Sequence, residues 1–400
     1  MTKKLMLLGG IRYLLPVIKT AHEYGYYVIT ADYIPDNIAH KYSDEYVNVS
    51  IVDKEAVLKV AQEKKIDGIM SFGVDPGVVS AAYVADKMNL PNVGPYESVC
   101  ILQNKDKFRS FLRDNGFTVP GFKEYADYDS AILDKAFLKR PMIIKPVDSA
   151  GSKGVTRVDN LEDFDKAVKK AFQQSISKRI IIEDFVEKSG FSTDSECFSV
   201  DGELRFVSYS SQRFDDSAEN PYAPAAFSWP SSMTSHQEKE LTSELQRLLS
   251  LLKMRTTIYN VEARIGVDGK AYIMEVSPRG GGNRLAEMIR YSTGIDLIGN
   301  AVRAAMGDGV EHIEQRAYRG NWAEVVLHSD KDGAFEKIEI DESIKPYLVE
   351  TDLWVQKGME VHSFKGANET IGTLVLNFPI QKDRDEALKN IRKWLKIIVN

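Results

Sequence analysis

Glu262 and Glu275 lie either side of a turn signal, Asp268-Gly269, between two strand-like apolar runs. A two-residue turn at that dipeptide pairs Val267 with Lys270. Counting outward, Glu262 falls opposite Glu275 and Asn260 opposite Ser277. Direct cross-strand partners share a face, with Cβ atoms about 4.5–5.5 Å apart. Two bare carboxylates at roughly 5 Å repel by about 3 kcal/mol at an effective dielectric near 20. Solvent on an exposed face, a shared proton or a divalent cation would relieve that. Carboxylate oxygens completed by water and phosphate suit Mg²⁺; a solvated acidic face is the plain alternative. The apolar flanks Ile258 to Val261 and Tyr272 to Met274, and the Arg279-Gly280-Gly281-Gly282 that follows, favour a cation with an anion beside it.

Three further stretches carry charge in suggestive places. Lys145 ends the apolar run Ile143-Ile144, and a small-residue loop, Ser149-Ala150-Gly151-Ser152-Lys153-Gly154, follows it. Such a loop lets backbone N–H groups approach phosphate oxygens, and the lysine adds a point charge. The pattern is not that of a P-loop, and an ordinary hairpin loop reads almost the same way. Ile180-Ile181-Ile182 runs into Glu183-Asp184-Phe185-Val186-Glu187, either a plain strand end or a segment that reads an adenine edge. Asn104 to Arg109 puts cations at a helix start, where the helix dipole disfavours them, as expected beside an anionic ligand.

The elements that must position these residues fall into three regions. Leu5 to Leu8, Tyr27 to Ala31 and Gly68 to Phe72 read as strands, alternating with helices capped by Asp53 and opened by Pro76. That rhythm predicts a parallel, doubly wound α/β domain over residues 1–104. Residues 105–317 mix strands and helices in an α+β pattern, with an Asn104 cap, hairpin signals at Asp201-Gly202 and Asp268-Gly269, and a Ser235/Glu238 capping box. Residues 318–400 read as short strands punctuated by glycines, then a terminal amphipathic helix from about Asp383.

Bulk properties narrow the partners. The formal charge of −6 argues against nucleic acid or an anionic membrane as the main partner. No apolar run reaches the ~18 residues that span a bilayer. Cys100 and Cys197 are far apart and form no CxxC, which fits a reducing cytoplasm and no zinc site.

Taken in order, Asp106-Lys107, Lys145 with its glycine-rich loop, Glu183 to Glu187, Glu262, and Glu275-Val276-Ser277-Pro278-Arg279 resemble the motifs of the ATP-grasp superfamily. The resemblance spans the chain and is nearest the branch holding L-amino-acid ligases, carbamoyl phosphate synthetase halves, biotin carboxylase and formate-dependent glycinamide ribonucleotide transformylase. It implies a Rossmann-like domain before the ATP-grasp fold, a β-rich domain after it, and ATP with Mg²⁺ or Mn²⁺ as cofactors. It assigns Lys107, Lys145, Ser149, Gly151, Ser152 and Gly154 to the ATP phosphates, and Glu183, Asp184, Phe185, Val186 and Glu187 to the adenine linker. Glu262, Glu275 and Ser277 become the metal ligands, and Arg279 faces the transferred phosphate or substrate. Ser277 departs from the family's usual asparagine, and Glu187 or Asp194 stands in for the usual ribose-binding glutamate. Gly9 and Gly10, Asp75 and Arg213 are candidate substrate contacts, with a helix N-cap the plainer reading of Asp75. Arg213, Tyr222 and Trp229 fall in a region, about 190–230, expected to close as a lid. The implied reaction activates a small carboxylate as an acylphosphate and joins it to an amine, in a protein that is commonly a homodimer. Bicarbonate or formate activation, a phosphoribosylamine-type acceptor and a non-catalytic nucleotide-binding module are the alternatives.

Overall fold

A computed structural model describes residues 2–135, 139–148 and 153–400. The first domain is a four-stranded parallel sheet of β1 (Lys4–Leu8), β2 (Tyr27–Asp32), β3 (Glu45–Asn48) and β4 (Gly68–Ser71), in the order β3-β2-β1-β4. Its central strand is apolar throughout because both faces are covered. Leu5 and Leu7 join one core cluster, Met6 and Leu8 another. Asp53 caps the helix Lys54–Lys64 by accepting from the Ala56 N–H, as its position suggested. Two loops leave the carboxyl ends of this sheet: Gly9-Gly10 after β1 and residues 72–75 after β4.

Next come β5 (Phe122–Tyr125), β6 (Met142–Pro146), β7 (Thr156–Val158) and β8 (Ile180–Asp184), an antiparallel sheet ordered β5-β8-β6-β7. Its core includes Ala167, Val168 and Ala171 of the helix Phe164–Gln174. The chain continues through β9 (Thr193–Val200), β10 (Glu203–Ser208), β11 (Ser211–Phe214), β12 (Pro224–Trp229), β13 (Thr257–Ile265) and β14 (Ala271–Ser277). Of these, β10-β9-β13-β14 form a second antiparallel sheet, whose core includes Leu241, Leu245 and Leu248 of the helix Ser235–Leu251. Val200 pairs with Glu203 across Asp201-Gly202, both at positive φ, so that hairpin turns where its dipeptide indicated. The capping box of the long helix sits one residue earlier than expected, on Thr234 and Gln237. Glu238 accepts instead from Ser231 at 2.8 Å.

The remaining strands are β15 (Asn321–His328), β16 (Gly333–Ile340), β17 (Leu348–Leu353), β18 (Glu360–Val361), β19 (Thr370–Phe378) and β20 (Leu395–Val399). They do not form a separate unit after residue 318. β15 pairs with β12, giving a five-stranded sheet β11-β12-β15-β19-β17 that crosses the expected boundary, while β18-β16-β20 make a small third sheet. Residues 190–230, expected to close as a lid, are largely sheet. Trp229 is fully buried in β12, where its ring meets Phe227. The longest loop in that span is residues 215–223, between β11 and β12. The terminal helix also stops early: Gln381–Lys389 and Ile391–Trp394 are helical, then β20 pairs with β16. The β-branched Ile397, Ile398 and Val399 suit that strand.

Candidate active site

The β13–β14 hairpin places Glu262 opposite Glu275 and Asn260 opposite Ser277. It does so by two departures from the simple count that cancel. The turn holds three residues, because Gly266 N–H bonds the Lys270 carbonyl. A bulge at Met274 then restores the register, with Ala263 opposite Ile273.

β9 extends both rows. Glu262 lies opposite Asp194, and Asn260 opposite Glu196. One sheet face thus carries Asp194, Glu262 and Glu275 in one row, and Glu196, Asn260 and Ser277 in the next. Asn260 Nδ2 donates to Asp194 Oδ1 at 2.6 Å and to Glu196 Oε1 at 3.2 Å. Gly281 N–H donates to the same Glu196 oxygen at 2.8 Å. A Cβ on Gly281 would meet that oxygen at 2.7 Å, so a larger residue there would have to displace the Glu196 side chain. Burial and the Glu262 charge push the Asp194 carboxyl up to about 8. Burial also lifts Glu196 to about 8 against its hydrogen bonds. Glu262 is raised by removal from bulk water and then by Glu275, although solvent still reaches its side chain. The face is rich in carboxyl groups, and Lys105 Nζ lies 3.6 Å from Glu275.

Opposite stands a buried chain of charges from the other sheet. Lys145, at the end of β6, is 2.7 Å from Glu183 on β8, whose other oxygen accepts from Arg109 Nε at 2.7 Å. Glu183 is 0% exposed and Arg109 1%. Burial alone would raise the Glu183 carboxyl, but Arg109 and Lys145 outweigh it and hold it at about 2. Burial wins at Lys145, which falls to about 8 despite its partner.

This commits the Glu183 carboxylate to two cations and not to the edge of a ligand base. The linker beyond it is also engaged: Asp184 N–H bonds Gly121, Phe185 N–H bonds Pro141, and the Val186 carbonyl accepts from Arg264. Arg157 lies over Phe185 and 3.3 Å from Glu187. Lys107 points to solvent on its helix, while Lys105 reaches the acidic face, so the cation expected there sits two residues earlier. Ser149, Gly151 and Ser152 lie outside the described residues. Gly154, at φ +75°, is packed so closely on Pro146 and Gln174 that a Cβ would come within 3 Å of both.

A third group ties the N-terminal domain to the hairpin. Asp75 accepts from Arg279 Nε at 2.8 Å and NH2 at 2.7 Å, and from Ser277 Oγ at 2.8 Å. Gln103 Nε2 donates to the same hydroxyl at 2.8 Å. Asp75 therefore does not cap a helix, and the Ser277 hydroxyl, expected at a metal, is already engaged on both sides. Gly9, at φ +117°, packs on Val74 beside Asp75, and Gly10 packs on Asn37 and His40.

Arg213 belongs elsewhere. It bonds Ser228 Oγ at 2.6 Å and Asp385 at 3.0 Å, and lies over Phe191. It lines a groove of about 1540 Å³ that includes none of Lys145, Glu262, Glu275 or Arg279. Among the described residues the one compact trio of metal-type side chains, Asp215, His328 and Asp330, is also in that groove. Arg392 fills it, 2.7 Å from each aspartate.

Sequence reasoning marked the cations of Asn104 to Arg109 but assigned a role only to Lys107, and it missed Glu196. The alternation Asp194-x-Glu196 was the available signal, since period two on a strand puts both on the face of Glu262.

Residues 138–287 match the family model described as ATP-grasp domain. That stretch, 150 of the 400 residues, is thus similar to an ATP-grasp domain. The matched stretch holds Lys145 on one antiparallel sheet and Glu262 on the other. Among curated proteins, the carbamoyl phosphate synthase large chain of Thermotoga petrophila is 22% identical over 288 residues, covering 71% of this chain. The match takes in 26% of that relative, so the chain aligns with about a quarter of it. Among solved structures, the L-amino acid ligase of Bacillus licheniformis has a TM-score of 0.82 at 21% identity, covering 100% of this chain and 99% of that one. Phosphoribosylglycinamide synthetase of Anaerococcus prevotii gives 0.76 at 19%, covering 100% of both. These likenesses in fold take in the parallel sheet before the matched stretch and the β-rich region after it. No helix among the described residues is long and apolar enough to cross a membrane.

Proposed function

We propose that this chain is an ATP-dependent ligase that activates a small carboxylate as an acylphosphate and joins it to an amine, releasing ADP and phosphate. The supporting observation is the juxtaposition of an acidic face, Glu262 and Glu275, with the buried Lys145 and the partly buried Lys105. Glu262 and Glu275 fit a hard divalent cation, because both offer carboxylate oxygens on one face and Glu262 is raised by its neighbour. Mg²⁺ or Mn²⁺ bound there would neutralise charge on the transferred phosphoryl group. Ser277, with its hydroxyl engaged, contributes through Asp75 and not as a ligand.

In this reading Lys145 and Lys105 hold phosphate oxygens, and Arg279 faces the acyl end of the substrate. Charge spreads over the phosphoryl oxygens during transfer, so fixed cations along that path are the chemistry required. Residues 215–223 take over the water-excluding role, since Tyr222 lies within reach of the charges of Arg157 and Asp159 on the opposite sheet.

The test is steady-state ADP release with MgATP, screened against single amino acids, amino-acid pairs, bicarbonate and formate. Release stimulated by an amino-acid pair, with an amide product by mass spectrometry, is the expected result. Stimulation by bicarbonate or formate alone would move the chain to the other branch. Calorimetry showing no ATP binding at millimolar Mg²⁺ would end the reading altogether.

A further inference from the structure

Glu324 sits in the middle of β15 and is 0% exposed, yet neither carboxylate oxygen has a hydrogen-bond partner among the described residues. Buried polar groups are nearly always paired, so an orphan of this kind needs an explanation. Its cross-strand neighbours are Phe227 on β12 and Val375 on β19, both fully buried. Arg284, the guanidinium acting most strongly on it, is already shared among Glu287, Glu350 and Thr373. The Tyr13 hydroxyl, close enough to feel the Glu324 charge, donates to Asn283.

The location matters as much as the lack of a partner. Asp194, in the acidic row on β9 and β13, is among the charges that act on Glu324. The triglycine after the hairpin brings the N-terminal domain to the same place: a Cβ on Gly282 would sit 3.2 Å from the Tyr13 ring. Glu196, on the acidic face, is 1% exposed and has a second unpartnered oxygen, Oε2. Two independent buried carboxylates thus have acceptors that no donor among the described residues meets.

We propose that Glu324 holds the ammonium group of the amine substrate, making this a site for a cationic amino group and not for an anionic acceptor. The inference rests on the ligase reading above and names the class of its second substrate. An ammonium carries three donors and no acceptor, which matches oxygens that lack donors. The carboxylate has Phe227 and Val375 as cross-strand neighbours, with Arg284 held by Glu287 and Glu350 nearby, and this mixed apolar and acidic lining suits an organic cation. Mg²⁺ keeps several waters and prefers a polar shell, so it is poorly matched there. Burial holds the free carboxyl well above its usual range, and a bound cation would make ionisation favourable.

Thermal melts of the full chain decide this with ethylammonium chloride as the probe, saturating MgADP throughout, and sodium chloride at equal ionic strength as control. Ethylammonium should raise the wild-type melting temperature beyond the sodium control. Glu324→Gln should keep its MgADP shift and weaken the ethylammonium response roughly tenfold or more, the loss of one charge-assisted hydrogen bond. Glu324→Asp, which withdraws the carboxylate by one methylene, should weaken it as well and decides the matter if the glutamine variant does not fold. A wild-type response no greater than sodium, or variants that retain the MgADP shift and respond as wild type does, overturns the proposal. Loss of the MgADP shift in the wild type would instead count against the nucleotide site.

Discussion

Lys145 carries a positive charge almost out of reach of water, and its neighbours decide what that charge can do. Glu183 fixes the ammonium and Arg109 fixes Glu183, so the lysine is aimed by a residue on a separate helix. Lys145→Ala should lower turnover by roughly 10²–10³-fold, the usual loss for one preorganised donor. Lys65→Ala, at the left-handed end of a helix in the first domain, should leave it unchanged. Equal turnover in the two variants would reduce Lys145 to a strand terminus.

The same trio sets a pH dependence whose sign can be worked out. Lys145 is depressed to about 8 in the folded chain, so it is charged below that value. ATP affinity should therefore fall as pH rises through about 8, measured by calorimetry at fixed Mg²⁺. Its folding cost runs the other way: burying the charge is unfavourable below about 8, and the cost fades between there and its ordinary value of 10.5. Glu183, held at about 2, contributes stability above its ordinary 4.5 that is lost as pH falls toward 2. Glu183→Gln leaves two buried cations unpaired and should cost about 3–5 kcal/mol at pH 7 by denaturant unfolding.

At the scale of elements, the hairpin shows what a sequence can and cannot reveal. The pairing of Glu262 with Glu275 was legible, but the turn was one residue longer than its dipeptide implied, and a bulge at Met274 absorbed the difference. No local signal at Met274 announces that bulge; tertiary packing sets it. The parallel sheet was legible because strands covered on both faces are apolar throughout. The strands of the supposed lid were not, because the buried polar residues of β9, among them Asp194 and Glu196, mimic the composition of a loop. Glu275→Gln should abolish turnover while leaving the fold intact, and it removes a repulsion of about 3 kcal/mol. Melts with and without MgATP, run beside the assay, separate this from a solvated acidic face. In that case neither activity nor stability would move, and an active variant with normal magnesium dependence would remove the metal site.

At the scale of the molecule, the site is assembled from all three regions. The first supplies Asp75, which neutralises the buried Arg279; the last supplies β15 and Glu350, which hold Arg284. Asp75→Asn should therefore do more than trim a loop. It leaves Arg279 buried beside a neutral amide and should cost several kcal/mol in stability, up to about 3–5. It should also reduce turnover more than ATP affinity, since no residue near the phosphates is altered. Unfolding curves and a comparison of kcat with nucleotide Kd check both halves.

The pairing of β12 with β15 also bears on how the chain is made. β12 ends at Trp229 and its partner begins at Asn321, so about ninety residues must leave the ribosome before that edge is covered. At about 5–20 residues per second this leaves an apolar strand edge unpaired for on the order of ten seconds. The parallel sheet of the first hundred residues can close during that time, whereas the ATP-grasp region must wait for sequence that lies beyond its own limits. Chaperone dependence, and aggregation of chains cut between these two strands, should concentrate in that interval of synthesis.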